Sequence, residues 1–192
     1  MTGDTNGYKW GYKDLASYMT ESNLDVNAWA DLAVSAGAKY VVPVGLFHDA
    51  FAMYESKYTS WNSVKLGPKR DHITQLASAV RARGLKFGIS NHFFENWGWF
   101  HHTSQYDTGD PQNYALYNVP ESETTTPSLT HRTNWLNRAQ EMVDKWHPDL
   151  IGFASAYGSK TRTRVLSSIF SIMLVRPAMI RVPAWLMPGL KS

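Results

Sequence analysis

Apolar residues recur at helical spacing in three stretches of this chain, and a short run of almost unbroken apolar character follows each stretch. Val26, Trp29, Ala30, Ala33 and Ala36 share one stripe of a helix over about 26–36, with Asp25 placed to cap it and Gly37 to stop it. Ile73, Leu76, Ala77 and Val80 form the buried face of a second helix, opened by Asp71, running to about Arg83 and closed by Gly84. Trp135, Leu136, Ala139, Met142, Val143 and Trp146 follow the helical period through about 130–146, where His147-Pro148 breaks it. The runs after the helices, 39–44, 85–90 and 149–154, read as buried strands. Pro43 removes a ladder donor from the first of them, so a bulge or an early strand end is expected there.

Three helix-then-strand units in succession predict an α/β fold with a parallel sheet and right-handed crossovers. Residues 1–24 read as a polar, Tyr-rich loop with one helical turn, and 103–128 as a second polar loop. At 192 residues the chain falls short of the roughly 250 that a closed eight-stranded (β/α) barrel typically uses. The expectation is therefore part of such a barrel, with about three β/α units. From about Ser155 the pattern ends. Residues 155–192 are basic, free of Asp and Glu, and interrupted by Pro177, Pro183 and Pro188. The chain divides into a body, 1–154, and a tail, 155–192, that continues none of the body's periodicity. An open sheet leaves bare edges, which predicts self-association.

Charge and composition narrow the function. The net charge of +3 hides a body with 13 Lys/Arg against 16 Asp/Glu and a tail that carries six Lys/Arg. The basic pI comes from the tail and gives no reason to expect the body to bind nucleic acid. Without cysteine there is no disulfide, thiol catalysis or Cys-zinc site. No stretch approaches the roughly 20 apolar residues of a membrane span, and the first residues lack the apolar segment of a signal peptide. Eight Trp, ten Tyr and eight Phe are rich usage, suited either to sugar faces or simply to a core.

In parallel β/α folds chemistry collects on the loops after the strands' carboxyl ends. His48 and Asp49 follow the first strand; His92 and Glu95 follow the second. His48 reads either as a ligand-binding imidazole or as a half-buried structural one, and Asp49 as the cap of a turn. Trp61 either stacks on a ligand or seals its loop onto the body. Trp97 is a candidate pocket wall. Arg70 is expected to pair with a neighbouring carboxylate. His101-His102 are adjacent and point apart, without the spacing of a metal motif. A metal site from His48, Asp49, His92 and one of that pair is a rival reading, and no cofactor is expected.

The order of motifs adds a resemblance. AGAKYVVPV, then HD-x-F at 48–51, MYESKYTSWN at 53–62, GPKRD at 67–71, GLKFG at 84–88 and PDLI at 148–151 are similar to the N-terminal catalytic domain of glycoside hydrolase family 29, over about residues 8–153. The resemblance implies an α-L-fucosidase on a (β/α) barrel, acting on fucosylated glycans with retention through a glycosyl-enzyme. Family members are commonly secreted, lysosomal or vacuolar. It favours fucose binding at His48; His92, nominated by its position, and the candidates Trp61 and Trp97 complete the expected substrate-binding set. The family's usual His-His-Asp-Gly-Phe appears here with Phe47 for the first His and Ala50 for the Gly.

A retaining glycosidase needs two carboxyl groups about 5–5.5 Å apart. The resemblance places the nucleophile at position 154, which is Ala154. Asp149 is no substitute, because at roughly 3.3 Å per residue it lies about 15 Å away at the strand's other end. The acid/base belongs beyond the matched span. The implied function is thus a truncated and catalytically impaired α-L-fucosidase. A non-catalytic fucose-binding remnant and a metal-dependent barrel hydrolase are the rivals.

Overall fold

The computed structural model describes residues 3–5, 8–120, 127–153 and 171–174, with 3–5, 8–9 and 171–174 as backbone alone. A hairpin of β1 (Gly3–Thr5) and β2 (Tyr8–Trp10) opens the chain. Then come α1 (Val26–Ser35), β3 (Tyr40–Val41), β4 (Val44–Leu46), α2 (His72–Ala82) and β5 (Lys86–Asn91). The short α3 (Tyr114–Tyr117), the long α4 (Leu129–Trp146), β6 (Leu150–Phe153) and β7 (Ser171–Leu174) complete the order.

The helix boundaries follow from their caps. Asp25 accepts from the Asn27 and Ala28 amides, Asp71 from Thr74, and Ser128 from His131. Each satisfies donors that a helix start leaves without a partner. Gly84, in left-handed backbone at φ 74°, turns the chain out of α2. α4 ends at a left-handed His147, and Arg81 reaches across from α2 to donate to the carbonyls of Trp146 at 2.6 Å and His147 at 3.1 Å.

The predicted strands pair as neighbours and in parallel. β5 is central, with β3 and β4 on one side and β6 on the other. Pro43 has the expected effect. The first strand is interrupted at Val42-Pro43, and the register shifts by one residue between Val44 and Leu46. α2 and α4 cover the face that carries Phe87 and Ile89: Arg81 lies over the Phe87 ring at 5.2 Å, and Ile89 and Met142 close around Gly45.

Four expectations need correction. Trp29 is 54% exposed, and only Val26 and Ala30 of the α1 stripe are buried, because α1 packs on α2 and has its outer face open. Residues before 25 hold the hairpin and a seven-residue 3-10 helix, Tyr12–Tyr18. The polar loop after 103 contains α3 and two 3-10 turns, and it buries Asp107, Asn113, Leu116 and Tyr117. Among the described residues Arg70 meets no carboxylate; it donates to the Gln75 side-chain carbonyl at 2.6 Å and to the Leu24 carbonyl at 3.1 Å. In the tail, β7 pairs antiparallel along β6, from Leu150↔Leu174 to Phe153↔Ser171. That edge of β6 therefore carries a strand. Among the described residues no helix is long and apolar enough to cross a membrane.

Candidate functional site

β4 and β5 end side by side, and the residues that follow them meet. The His92 amide donates to the Leu46 carbonyl at 2.8 Å, so the pairing persists one residue past β5. Asn91 then accepts from the Phe93 amide and starts a 3-10 turn, Phe93–Gly98. This local geometry brings the His48 and His92 rings edge to face, with centroids 4.9 Å apart. Trp99 stacks on His48 at 4.6 Å and remains 55% exposed. Asn96 fixes the same corner by donating to the His48 carbonyl at 2.9 Å and the Leu116 carbonyl at 3.1 Å.

Burial, and then the neighbouring His48 charge, hold His92 below the ordinary imidazole pKa. A neutral imidazole offers one donor and one acceptor, which suits sugar hydroxyls. Asp49 accepts from the Phe51 amide at 2.8 Å and from the Tyr12 hydroxyl, which ties the N-terminal 3-10 helix to this loop. Burial pushes the Asp49 carboxyl up, more than the Tyr12 and Phe51 hydrogen bonds and the His48 charge pull it down.

The sequence-predicted residues thus fall into three places. His48 and His92 come together. Trp61 lies apart from them, half-buried against the core, in a cleft of about 300 Å³ shared with Tyr12, Phe47, Asp49 and Met53. Trp97 is buried and lines a separate hollow of about 570 Å³ with Phe93, His131 and Arg138. Glu95 lies within the Phe93–Gly98 turn, its amide bonded to the His92 carbonyl at 3.2 Å. His102 sits against the Tyr117 and Asn118 carbonyls. Among the described residues no three His, Asp or Glu side chains come together as a metal site. Asp149 lies at the opposite end of β6, held by the Phe87 amide at 3.1 Å and Lys86 at 3.0 Å. β6 ends at Phe153, whose register partner is Asn91; Ala154 lies outside the described residues.

Sequence reasoning missed the support beneath this corner. Glu141 of α4 is buried and accepts from Ser56 Oγ at 2.7 Å, the Lys57 amide at 2.8 Å and the Tyr54 hydroxyl at 3.2 Å. It pins the loop that leaves Asp49. Arg138, one turn earlier and 2% exposed, lies 4.1 Å over the Phe93 ring, with Nε donating to Asn134 at 3.0 Å. Burial brings its pKa down to about 10, against the opposing pull of Tyr54 and Glu141. The stacked Trp99 was also missed; its signal is an aromatic two residues beyond Trp97 in a loop already dense in rings.

The arrangement is that of a parallel β/α protein whose polar groups gather at the carboxyl ends of adjacent strands. The chain belongs to the α-L-fucosidase family: the Alpha-L-fucosidase family model matches residues 2–176, which carries the match beyond residue 154 into the tail. The plasma α-L-fucosidase of Rattus norvegicus is 41% identical over 150 residues, covering 76% of this chain and 29% of that protein. The plasma α-L-fucosidase of Homo sapiens is 31% identical over 142 residues, covering 73% and 27%. Among solved structures, the α-fucosidase of Thermotoga maritima in complex with fucose is 32% identical at a TM-score of 0.60, covering 81% of this chain and 34% of that one. The chain spans about a third or less of the length of these relatives.

Proposed function

We propose that this chain forms one arc of a fucosidase (β/α)8 barrel and binds a terminal α-L-fucose unit at the carboxyl ends of β4 and β5. The meeting of His48 and His92 carries this reading. The two imidazoles exchange hydrogen bonds with vicinal sugar hydroxyls, and the exposed face of Trp99 offers a platform for the ring, while Trp61 and Trp97 face the separate cleft and hollow rather than this unit. The reaction assigned by family is retaining hydrolysis of the fucosyl bond. Hydrolysis at a family-like rate needs a carboxylate nucleophile, and Ala154 has no group to attack the anomeric carbon. Binding without efficient turnover follows.

Titrating intrinsic Trp fluorescence with L-fucose tests the binding. Saturation is expected, with His48→Ala and His92→Ala each weakening it about tenfold, the scale of one lost hydrogen bond. No response from the wild-type chain would reject the site. An aryl α-L-fucoside tests the chemistry: turnover is expected to be several orders of magnitude below that of a family enzyme. Ordinary turnover would show that the nucleophile lies elsewhere than position 154.

A further inference from the structure

The hollow of about 570 Å³ between the Phe93–Gly98 turn and the first half of α4 combines two kinds of lining. Tyr58, Phe93, Trp97 and Tyr114 supply rings, while Asn118, Ser128 and Asn134 supply neutral polar groups. Among the described lining residues Arg138 supplies the one charge, and its position is unusual. A buried guanidinium ordinarily faces a carboxylate that takes two of its five N–H groups. Here Nε is taken by Asn134 at 3.0 Å, and Nη1 has only the Ala50 carbonyl, at 3.5 Å. Glu141 is near enough to favour the charge, but Tyr54, Ser56 and Lys57 occupy its oxygens. No carboxylate of the described residues lies within ion-pair distance of Arg138. A desolvated cation with unused donors thus lines a hollow that is otherwise aromatic and amide-lined.

We propose that this hollow is a second saccharide subsite that takes a carboxylate-bearing sugar unit, with Arg138 receiving the carboxylate and Trp97 or Tyr58 the ring face. Planar, two-pronged recognition of a carboxylate is what the guanidinium provides and a neutral lining lacks. Aromatic faces take sugar C–H surfaces, and the amides take hydroxyls. The site adjoins the histidine corner through Asn96, which both lines the hollow and donates to the His48 carbonyl. The proposal rests on the saccharide reading of the chain but on none of the fucose contacts.

Calorimetric titration of the full chain with methyl β-D-glucuronide and, separately, methyl β-D-glucoside decides it. The glucuronide is expected to bind at least tenfold more tightly than the glucoside and to resist displacement by excess L-fucose. Arg138→Gln should remove the preference. Should that variant fail to fold by circular dichroism, Asn134→Ala decides instead, with an expected loss of at least threefold for the glucuronide and an unchanged fucose titration. Equal binding of the two glycosides, no binding of either, or competition by fucose would each overturn the subsite. Glucuronide binding with no fucose binding would reject the histidine site and leave this one standing.

Discussion

Ala50 is fully buried and sits in left-handed backbone, φ 67°, where the fucosidase motif has glycine. An L-residue there brings its Cβ too close to the following carbonyl, at about 1–2 kcal/mol. Glycine relieves that contact while losing a buried methyl and gaining unfolded-state freedom. Ala50→Gly is therefore expected to change stability by no more than about 1 kcal/mol. Ala50→Val places a branched side chain where both backbone and packing refuse it, and a loss above about 2 kcal/mol is expected. Urea denaturation of the two variants checks the contrast; a stable Ala50→Val protein would contradict the backbone assignment.

His131 joins three elements. Its Nδ1 accepts from Asn118 at 2.9 Å, its Nε2–H donates to the Phe94 carbonyl at 3.1 Å, and its ring stacks on Phe93. Accepting at Nδ1 needs the neutral ring, and burial, against the opposing pull of the Phe94 carbonyl, takes its pKa from 6.5 to about 4. Between those values the unfolded chain binds the extra proton, so stability falls as pH drops from 6.5 towards 4 and is level above. The loss is on the order of 3 kcal/mol. His72 and His92, also lowered chiefly by burial, act in the same direction. Thermal melts from pH 4 to 7.5 should show this slope, and His131→Gln should flatten it.

The same helix shows what a sequence reveals and what it withholds. Trp135, Ala139, Met142 and Trp146 are buried as their spacing predicts, and His131 lies on that stripe, four residues before Trp135. Arg138 and Glu141 are buried as well, although charged residues on a helix ordinarily face water. Glu141 is held from residues 54–57 and Arg138 lies over Phe93, contacts that obey no local period. The strands and the His48–His92 corner were legible because chain order alone places them. The Lys13–Asp107–Tyr117 cluster, joined across about a hundred residues, was not.

At the scale of the whole molecule, the sheet's two sides are protected unequally. β6 carries β7, while the β3–β4 side is short and broken at Pro43, a feature that discourages further pairing. Removing residues 154–192 would bare the carbonyls and amides of β6. A chain ending at 153 is expected to associate more than the full one, measured by light scattering after size-exclusion chromatography. A truncated chain that remains monomeric would mean that β7 shields nothing.

The segment 51–70 contains no long regular element, yet its amides are tied down. Ala52 donates to Trp61, Met53 to Gly45, Ser63 to Ala52 and Arg70 to Ser63, all at 2.9–3.0 Å, and Lys57 to Glu141. Hydrogen exchange depends on such closure rather than on helix or strand labels. These amides should exchange as slowly as those of β5, and a protease should leave the segment uncut. Glu141→Ala would release Lys57 first, turning a quiet stretch of backbone into the chain's first point of cleavage.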